Sequence, residues 1–271
     1  MPRFTSRLAL SAVCSAVALL IGAASASAHR NPIGILIPTN PGLTLPRHGG
    51  TVDSLNWSGN AVTPKGGGIT GVKGSFVVPT AGMLPPGFAA TWAGIGGYNT
   101  SDLIQAGTAE QSLPSNPLVG PQYYAWYELL PNSETQIHGC SGDHSCSVKP
   151  GQKVTVSISQ GSGTAWKISM TDAGHWRWSK TVNYKSSHSS AEWILEAPTV
   201  GAQTLLANVG TAHFGPTSSF ATGKSTHTIA EGHPTKIVLS PGLINEATPS
   251  ALASGGQSFN DCAYVQKCKT P

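Results

Sequence analysis

The chain has 271 residues, and 10% of them are charged, whereas about 25% is usual in soluble domains. Hydrophobic residues make up 39% of the chain, which excludes the low hydrophobicity and high net charge of intrinsic disorder. The formal net charge is +4, and the basic residues form no cluster, so we expect neither a nucleic acid nor a membrane as a partner.

Residues 1–28 have the features of a secretory signal peptide. Arg3 and Arg7 precede an apolar run, and Ala26-Ser27-Ala28 supplies a small-x-small cleavage pattern. We therefore predict cleavage before His29 and an exported protein that has left the membrane. Residues 29–55 are rich in Pro and Gly and lack a helical period, which predicts an extended leader or a short propeptide.

From residue 56 onwards, short β-prone segments alternate with clusters of Gly, Pro, Ser and Asn. The predicted strands are, in chain order, Val72–Val78, Ala90–Ile95, Leu103–Gln105, Gln122–Leu129, Val154–Ser159, Ala165–Met170, His175–Val182, Ala191–Glu196, Leu205–Val209 and Lys236–Ser240. Short strands at spacings of about 8–12 residues are typical of antiparallel sandwiches. We predict an all-β fold with few or no helices, in which residues 56–271 form one antiparallel β-sandwich domain.

Alternate side chains of a strand share a face, and this sorts the polar residues of two predicted strands. In the first, Tyr124, Trp126 and Glu128 share one face, and the other face, Tyr123, Ala125, Tyr127 and Leu129, is a plausible core face. In the second, Glu192, Ile194 and Glu196 share a face, opposite Trp193 and Leu195. A carboxylate beside a Trp suits substrate binding, although a surface strand has the same pattern.

Once the signal peptide is removed, four cysteines remain, and an even number in an exported protein indicates disulfides. The short spacings favour the local pairs Cys140–Cys146 and Cys262–Cys268. Residues 138–146 also contain zinc-ligand types, but the spacing of the two cysteines there is not a standard finger spacing. We expect disulfides, no metal and no cofactor.

Two hydrolase chemistries have limited support from the residues. No G-x-S-x-G motif is present, so a serine hydrolase is disfavoured. A glycosidase needs carboxyl groups about 5–5.5 Å apart for retention or about 6.5–9.5 Å apart for inversion. Glu192 and Glu196 share a face, but four residues at about 3.3 Å each separate their backbones by roughly 13 Å. Glu128 from another strand remains an alternative partner for Glu196.

Four segments in order resemble the glutamic peptidases, or eqolisins: Trp92–Gly97, Ile104–Gly107, Tyr124–Glu128 and Ala191–Glu196. Asn56-Trp57-Ser58-Gly59 is also similar to the Asn-Trp-x-Gly that opens the mature domain of that family. The resemblance covers Asn56 to Val209 clearly and the last sixty or so residues only weakly. It implies a sandwich of two large antiparallel sheets.

The resemblance also implies an acid-acting endopeptidase whose catalytic pair is Gln105 and Glu196. Glu196 would be the general base that activates a water, and the amide of Gln105 would hold that water and donate to the oxyanion. An amide does not titrate in acid, and a glutamate with its ordinary pKa of about 4.3 stays partly ionised in mild acid. By the same resemblance, Trp92, Trp126 and Glu128 line the substrate groove, and Glu192 has a supporting role.

Two positions depart from the pattern of the family. Gly96 stands where family members have an Asp, and Tyr124 stands where they have another acid. These losses leave the substrate preference and the pH optimum open. Both members of the predicted catalytic pair are present.

Three hypotheses follow, and the first is our prediction. It is a secreted glutamic endopeptidase that acts as a monomer on a protein or peptide substrate. The second is a non-catalytic sandwich that binds peptides or glycans in an aromatic groove. The third is a glycan hydrolase that uses Glu128 and Glu196.

Overall fold

The computed structural model describes residues 45–47, 50–66, 68–112, 120–200 and 202–271. The predicted signal peptide and most of the predicted leader lie outside the described residues. The described strands are β1 (Leu45–Arg47), β2 (Thr51–Ser54), β3 (Trp57–Val62), β4 (Ile69–Val77), β5 (Gly87–Gly96), β6 (Leu103–Ser112), β7 (Gln122–Leu129), β8 (Thr135–Gln136), β9 (Ser141–Gly142), β10 (Lys153–Gln160), β11 (Ala165–Asp172), β12 (Trp176–Asn183), β13 (Ala191–Glu196), β14 (Thr199–Val200), β15 (Ala202–Gln203), β16 (Thr211–Phe214), β17 (Ser219–Thr222), β18 (Ser225–Thr228), β19 (Thr235–Leu239), β20 (Ala247–Pro249) and β21 (Phe259–Ala263). A single 3₁₀ turn, Ala230–Gly232, is the one helical element of the described residues.

The first layer of the fold is a long sheet with the strand order β8-β7-β6-β5-β13-β3-β19-β2-β1. All of its pairings are antiparallel except that between β2 and β19, which is parallel. β13 lies in the middle of this layer, with β5 along one edge and β3 along the other.

The second layer has the order β9-β12-β11-β10-β4. β16 and β17 pair with different parts of β4, and β18 pairs with β17. β20 and β21 connect the layers, because they continue the pairing from β19 to β16. The prediction of an antiparallel β-sandwich with two large sheets is confirmed.

The main hydrophobic core lies between the two layers. Strands of the second layer alternate in burial, as in β10, where Val154, Val156 and Ile158 are buried. At Gly74 an added Cβ would lie 2.6 Å from the Cβ of Ala93, so the two layers are in direct contact there. Such alternation is expected of a strand that has one face in the core.

A second hydrophobic cluster covers the other face of the first layer. It contains Trp57, Trp92, Tyr124, Trp126 and Ile194. The predicted sharing of faces is confirmed, since Tyr127 and Leu195 belong to the main core instead. β3 and β13 are consequently buried on both faces along their whole length.

One predicted strand, Leu205–Val209, is wrong. This segment forms only an isolated parallel bridge between Leu206 and Phe88. Two backbone hydrogen bonds, from Phe88 N to Leu205 O and from Ala207 N to Phe88 O, hold it against the start of β5. The ladder stops there, because the chain leaves β5 after this bridge.

Both disulfides that the spacings favour are present, Cys140–Cys146 and Cys262–Cys268. The first bond uses the two sulfurs that a zinc site in residues 138–146 would need. In the part of the chain that the structure describes, no helix is long and apolar enough to cross a membrane.

Candidate active site

The register of the first layer brings the predicted site residues onto one face. Gln105 on β6 lies directly between Glu128 on β7 and Gly94 on β5. Trp92 lies two residues before Gly94 on β5 and pairs with Ile194 on β13. Ala90, a further two residues back on β5, pairs with Glu196. The site therefore spans four neighbouring strands, with Trp92 between the positions of Gln105 and Glu196.

Glu196 is held by two N–H donors from different strands. The indole Nε1 of Trp92 donates to Oε2 at 2.9 Å, and Nδ2 of Asn56 donates to Oε1 at 3.2 Å. An indole N–H and an amide NH₂ can only donate, so both carboxyl oxygens accept hydrogen bonds as a carboxylate does. Trp92 is itself fixed by an edge-to-face contact with Trp57, at 4.9 Å between ring centroids.

Asn56 is oriented by the turn that joins β2 to β3. The hydroxyl of Ser54 accepts the backbone N–H of Asn56 at 3.3 Å and that of Trp57 at 3.1 Å, and it donates to Oδ1 of Asn56 at 3.3 Å. The Ser54 hydroxyl thus occupies Oδ1 of Asn56, and Nδ2 of Asn56 donates to Glu196. Sequence reasoning gave Asn56 a place in a motif but no role at the site.

Gln105 and Glu128 form a short, buried contact. Nε2 of Gln105 lies 2.6 Å from Oε2 of Glu128, and both side chains are 3% exposed. Burial first, and then the charge of Glu196, raise the pKa of Glu128 to about 9. At acidic and neutral pH Glu128 is therefore a neutral carboxylic acid beside the predicted catalytic pair.

Tyr124 forms a hydrogen bond with a further acid, Glu134. Its hydroxyl donates to Oε1 of Glu134 at 2.7 Å and accepts from Nε2 of Gln111 at 3.0 Å. Burial, followed by the charge of Glu134, raises the pKa of Tyr124. Glu134 also acts electrostatically on Glu128. No sequence signal pointed to Glu134, which lies in the turn after β7.

All five predicted site residues lie on the same face of the first layer and are buried. Trp92 is 0% exposed, and its indole N–H contacts the predicted base. Trp126 belongs to the same aromatic cluster, and its indole N–H has no hydrogen-bond partner among the described residues.

Glu192 does not reach the pair. β13 runs from Glu192 to Glu196 in unbroken register with β3 and β5, so no bulge brings these two carboxyl groups together. Burial raises the pKa of Glu192 well above its ordinary value. Glu192 is thus a buried neutral acid on the same strand.

The fold is shared with solved glutamic peptidases. A crystal structure of scytalido-glutamic peptidase with a transition-state analog inhibitor has a TM-score of 0.59 and 17% identity, covering 78% of this chain and 98% of that one. A member of the eqolisin family in complex with the tripeptide Ala-Ile-His has a TM-score of 0.55 and 15% identity, with 78% and 98% coverage. Aspergilloglutamic peptidase from Aspergillus niger has a TM-score of 0.54 and 20% identity, with 66% and 99% coverage.

At these identities the structures are evidence for the fold alone. No curated protein sequence matches the chain. The family described as the peptidase A4 family matches residues 55–251, a range that includes all five predicted site residues. The resemblance to the glutamic peptidases is therefore confirmed, and the protein is a peptide hydrolase. The chain belongs to the peptidase A4 family.

Proposed function

We propose that this protein is an exported, acid-acting glutamic endopeptidase in which Gln105 and Glu196 are the catalytic residues. The observation that carries the proposal is the pair of N–H donors on Glu196, from Trp92 and Asn56. They hold a carboxylate on the same sheet face as the amide of Gln105. A buried carboxylate with fixed geometry is suited to be a general base.

In the proposed reaction, Glu196 takes a proton from a water molecule, and the water oxygen attacks the carbonyl carbon of the scissile peptide. The carbonyl oxygen becomes an oxyanion, and an N–H of Gln105 donates to it. Glu196 then gives its proton to the amide nitrogen as the C–N bond breaks. One water is consumed, and Glu196 returns to its starting state.

Three features support action in acid. The amide of Gln105 does not titrate, so the oxyanion donor is unchanged at low pH. Glu128 keeps its proton there, so the site carries no second charge from this acid. Glu192 and Glu110 are likewise buried with raised pKa values. The signal-peptide pattern and the two disulfides support export.

The test is cleavage of an unfolded protein substrate from about pH 2 to about pH 7 with pepstatin present, because general-base catalysis in acid has a defined pH profile. Glu196→Gln is expected to lower kcat by about 100-fold to 10,000-fold. Glu192→Gln is the matched control, because it makes the same change on the same strand face without touching the pair. Equal activity of wild type and Glu196→Gln would refute the proposal.

The charge of Glu196 acts on Glu128, and a glycan hydrolase that uses these two acids is the second candidate. The variant Gln105→Glu separates the two functions. A peptidase loses its oxyanion donor and most of its activity, whereas a glycosidase built on two acids keeps turnover on a soluble glycan. Glycan turnover that persists in Gln105→Glu, without peptide cleavage in the wild type, would favour the second candidate.

A further inference from the structure

We propose that an apolar surface at one end of the first layer is the docking site for the leader of the same chain, which occupies it with residues 35–37. We call this surface the apolar end, and its members are Leu55, Leu84, Leu205, Leu243 and Ile244. None of them belongs to the candidate active site, so the docking role does not depend on the proposed function.

The members of the apolar end share a high exposure. They are the large hydrophobic residues that are 40% exposed or more in the part of the chain that the structure describes. Single exposed hydrophobic side chains are normal at a protein surface. Contiguous apolar patches instead mark sites of binding, so what matters is whether these five side chains lie together.

The first part of the apolar end lies where β2 and β19 end. Leu55 directly follows β2, and residues 243–244 lie in the loop after β19. The two strands are parallel and in register, so the chain leaves both of them at the same end of the layer. The backbone N–H of Ser240 donates to the backbone oxygen of Ser54 at 2.8 Å, which holds the two exits side by side.

The second part lies where β5 begins. The antiparallel pairings from β19 through β3 and β13 place the start of β5 at the same end of the layer. A backbone hydrogen bond of 3.1 Å joins the start of β5 to the carbonyl oxygen of Leu205. Leu84 lies shortly before β5, and Nδ2 of Asn208 donates to its backbone oxygen at 3.4 Å.

A further hydrogen bond connects the two parts. The backbone N–H of Leu206, next to Leu205, donates to Oε2 of Glu246 at 2.9 Å. Glu246 follows closely after Ile244 in the loop after β19. The exposed side chains therefore come from loops that are bonded to one another, and they form one surface.

The leader enters the described structure at this same end. β1 is antiparallel to β2, and Leu45 pairs with Asp53, so the leader reaches β1 from the end at which Leu55 lies. Residues 34–44 read Gly-Ile-Leu-Ile-Pro-Thr-Asn-Pro-Gly-Leu-Thr and contain no charged side chain. An uncharged segment with three consecutive large aliphatic residues matches the chemistry of the apolar end.

The leader is also long enough. The strand order from β1 to β5 is β1-β2-β19-β3-β13-β5, which spans about 24 Å at roughly 4.8 Å per spacing. Residues 38–44 reach at most roughly 23–25 Å when extended. Residues 35–37 can therefore contact any part of the apolar end. Because the leader is attached, its effective concentration at this surface is in the millimolar range, far above that of a second copy.

The test uses the chain 29–271, with mass spectrometry to verify that the leader is still attached. Thermolysin cleaves before large aliphatic residues, so a docked leader should resist it at residues 35–37. The double variant Leu243→Ser/Ile244→Ser should be cut there at least about 10-fold faster than wild type, because the population of undocked leader rises. Thr171→Ser/Thr181→Ser, on the second layer, is the control and should be cut at the wild-type rate.

A second variant changes only the leader, so it leaves every described residue intact. Replacing Ile35, Leu36 and Ile37 by Ser should raise the fluorescence of the dye ANS at least about 3-fold, because the apolar end becomes accessible. Thr39→Ser/Thr44→Ser, in the same leader, should leave the fluorescence unchanged.

Methyl NMR of the wild type reports the contact directly. Nuclear Overhauser effects are expected between the methyl groups of residues 35–37 and those of Leu243 or Ile244. Absence of these effects, or equal thermolysin rates in wild type and Leu243→Ser/Ile244→Ser, would overturn the inference. A wild-type dimer by sedimentation, with ANS fluorescence that rises on dilution and ignores the leader substitutions, would assign the apolar end to a second copy and also overturn it.

Discussion

Asn56 holds one oxygen of Glu196 through a single N–H···O hydrogen bond, while Ser54 holds Asn56. The two donors on Glu196 come from side chains far away in sequence, with separations of 140 residues for Asn56 and 104 for Trp92. Each donor is fixed by a further contact, the turn at Ser54 or the ring of Trp57. The geometry of the proposed base therefore depends on residues outside the proposed catalytic pair.

Asn56→Asp tests this dependence. The substitution replaces an N–H donor by a carboxyl oxygen facing Glu196, so we expect kcat to fall by about 10-fold to 100-fold, the range of a lost positioning contact. KM should change little, because Asn56 is buried and bonded to the base. Steady-state kinetics on a peptide substrate measures both constants.

Asn60→Ala is the control for Asn56→Asp, since Asn60 lies on β3, the strand that follows Asn56, and its Nδ2 has no hydrogen-bond partner among the described residues. Activity of Asn56→Asp equal to that of Asn60→Ala would contradict a positioning role.

Part of the site was predictable from the sequence. Strand parity alone placed Trp126 and Glu128 on one face, because a regular strand fixes which side chains lie together. The resemblance supplied Gln105 and Glu196 as a pair, which parity cannot do for residues on different strands. The contacts of Asn56 and Glu134 could not be predicted, because they depend on turns whose conformation has no periodic signal.

Gly59 shows how closely strands β3 and β13 approach each other. Its φ is +142°, a value that favours glycine. A Cβ at this position would overlap the backbone carbonyl oxygen of Trp193. Trp57, the first residue of β3, pairs with Glu196 at the end of β13, and Asn56 directly precedes Trp57.

Gly59→Ala is therefore expected to lower the free energy of unfolding by about 2–4 kcal/mol, through backbone strain and the clash with β13. Gly66→Ala is the control, because Gly66 also has a positive φ, of +81°, but nothing lies within 4 Å of its added Cβ. Gly66→Ala should lower the free energy of unfolding by only about 1 kcal/mol. Urea denaturation of both variants checks the prediction, and equal losses would show that the close approach is unimportant.

Most of the longer strands were predictable, because they are β-prone segments bounded by clusters of Gly, Pro, Ser and Asn. β10 and β11 alternate in burial, and their positions match the sequence patterns. β3 was not predicted as a strand, because Ser58, Gly59 and Asn60 are residue types that are typical of turns. β16, β20 and β21 have only three to five residues each, too few for a periodic signal. Their positions depend on pairing with distant strands.

The whole molecule carries several buried acids with raised pKa values. Burial is the largest cause for Glu110, Glu128, Glu192 and Asp261, and the pKa of Asp261 rises to about 8. In the unfolded chain these groups lose their protons near their ordinary pKa values of about 4. Above that pH the folded state binds more protons than the unfolded state.

The free energy of unfolding should therefore be highest near pH 4 and fall as the pH rises towards about 9. Each pKa unit corresponds to about 1.4 kcal/mol, so we expect a loss of several kcal/mol between acidic and alkaline solution. The pKa values of Asp102 and Asp143 are lowered, so these two groups make the free energy of unfolding rise with pH, but only below about pH 4.

Guanidinium denaturation at a series of pH values measures this slope, and Glu192→Gln should make it shallower. A free energy of unfolding that rises from acidic to neutral pH would contradict the assignment of these groups as buried neutral acids.

The central place of β13 has a consequence for the time course of folding. This strand pairs with β5, which precedes it by about a hundred residues, and with β3, which lies still further back. Loops of such length are slow to close. During synthesis, β5, β6 and β7 can form their hairpins while Glu196 has not yet been made. The nascent chain therefore lacks one member of the proposed catalytic pair, and we expect its own topology to delay proteolysis until β13 has inserted.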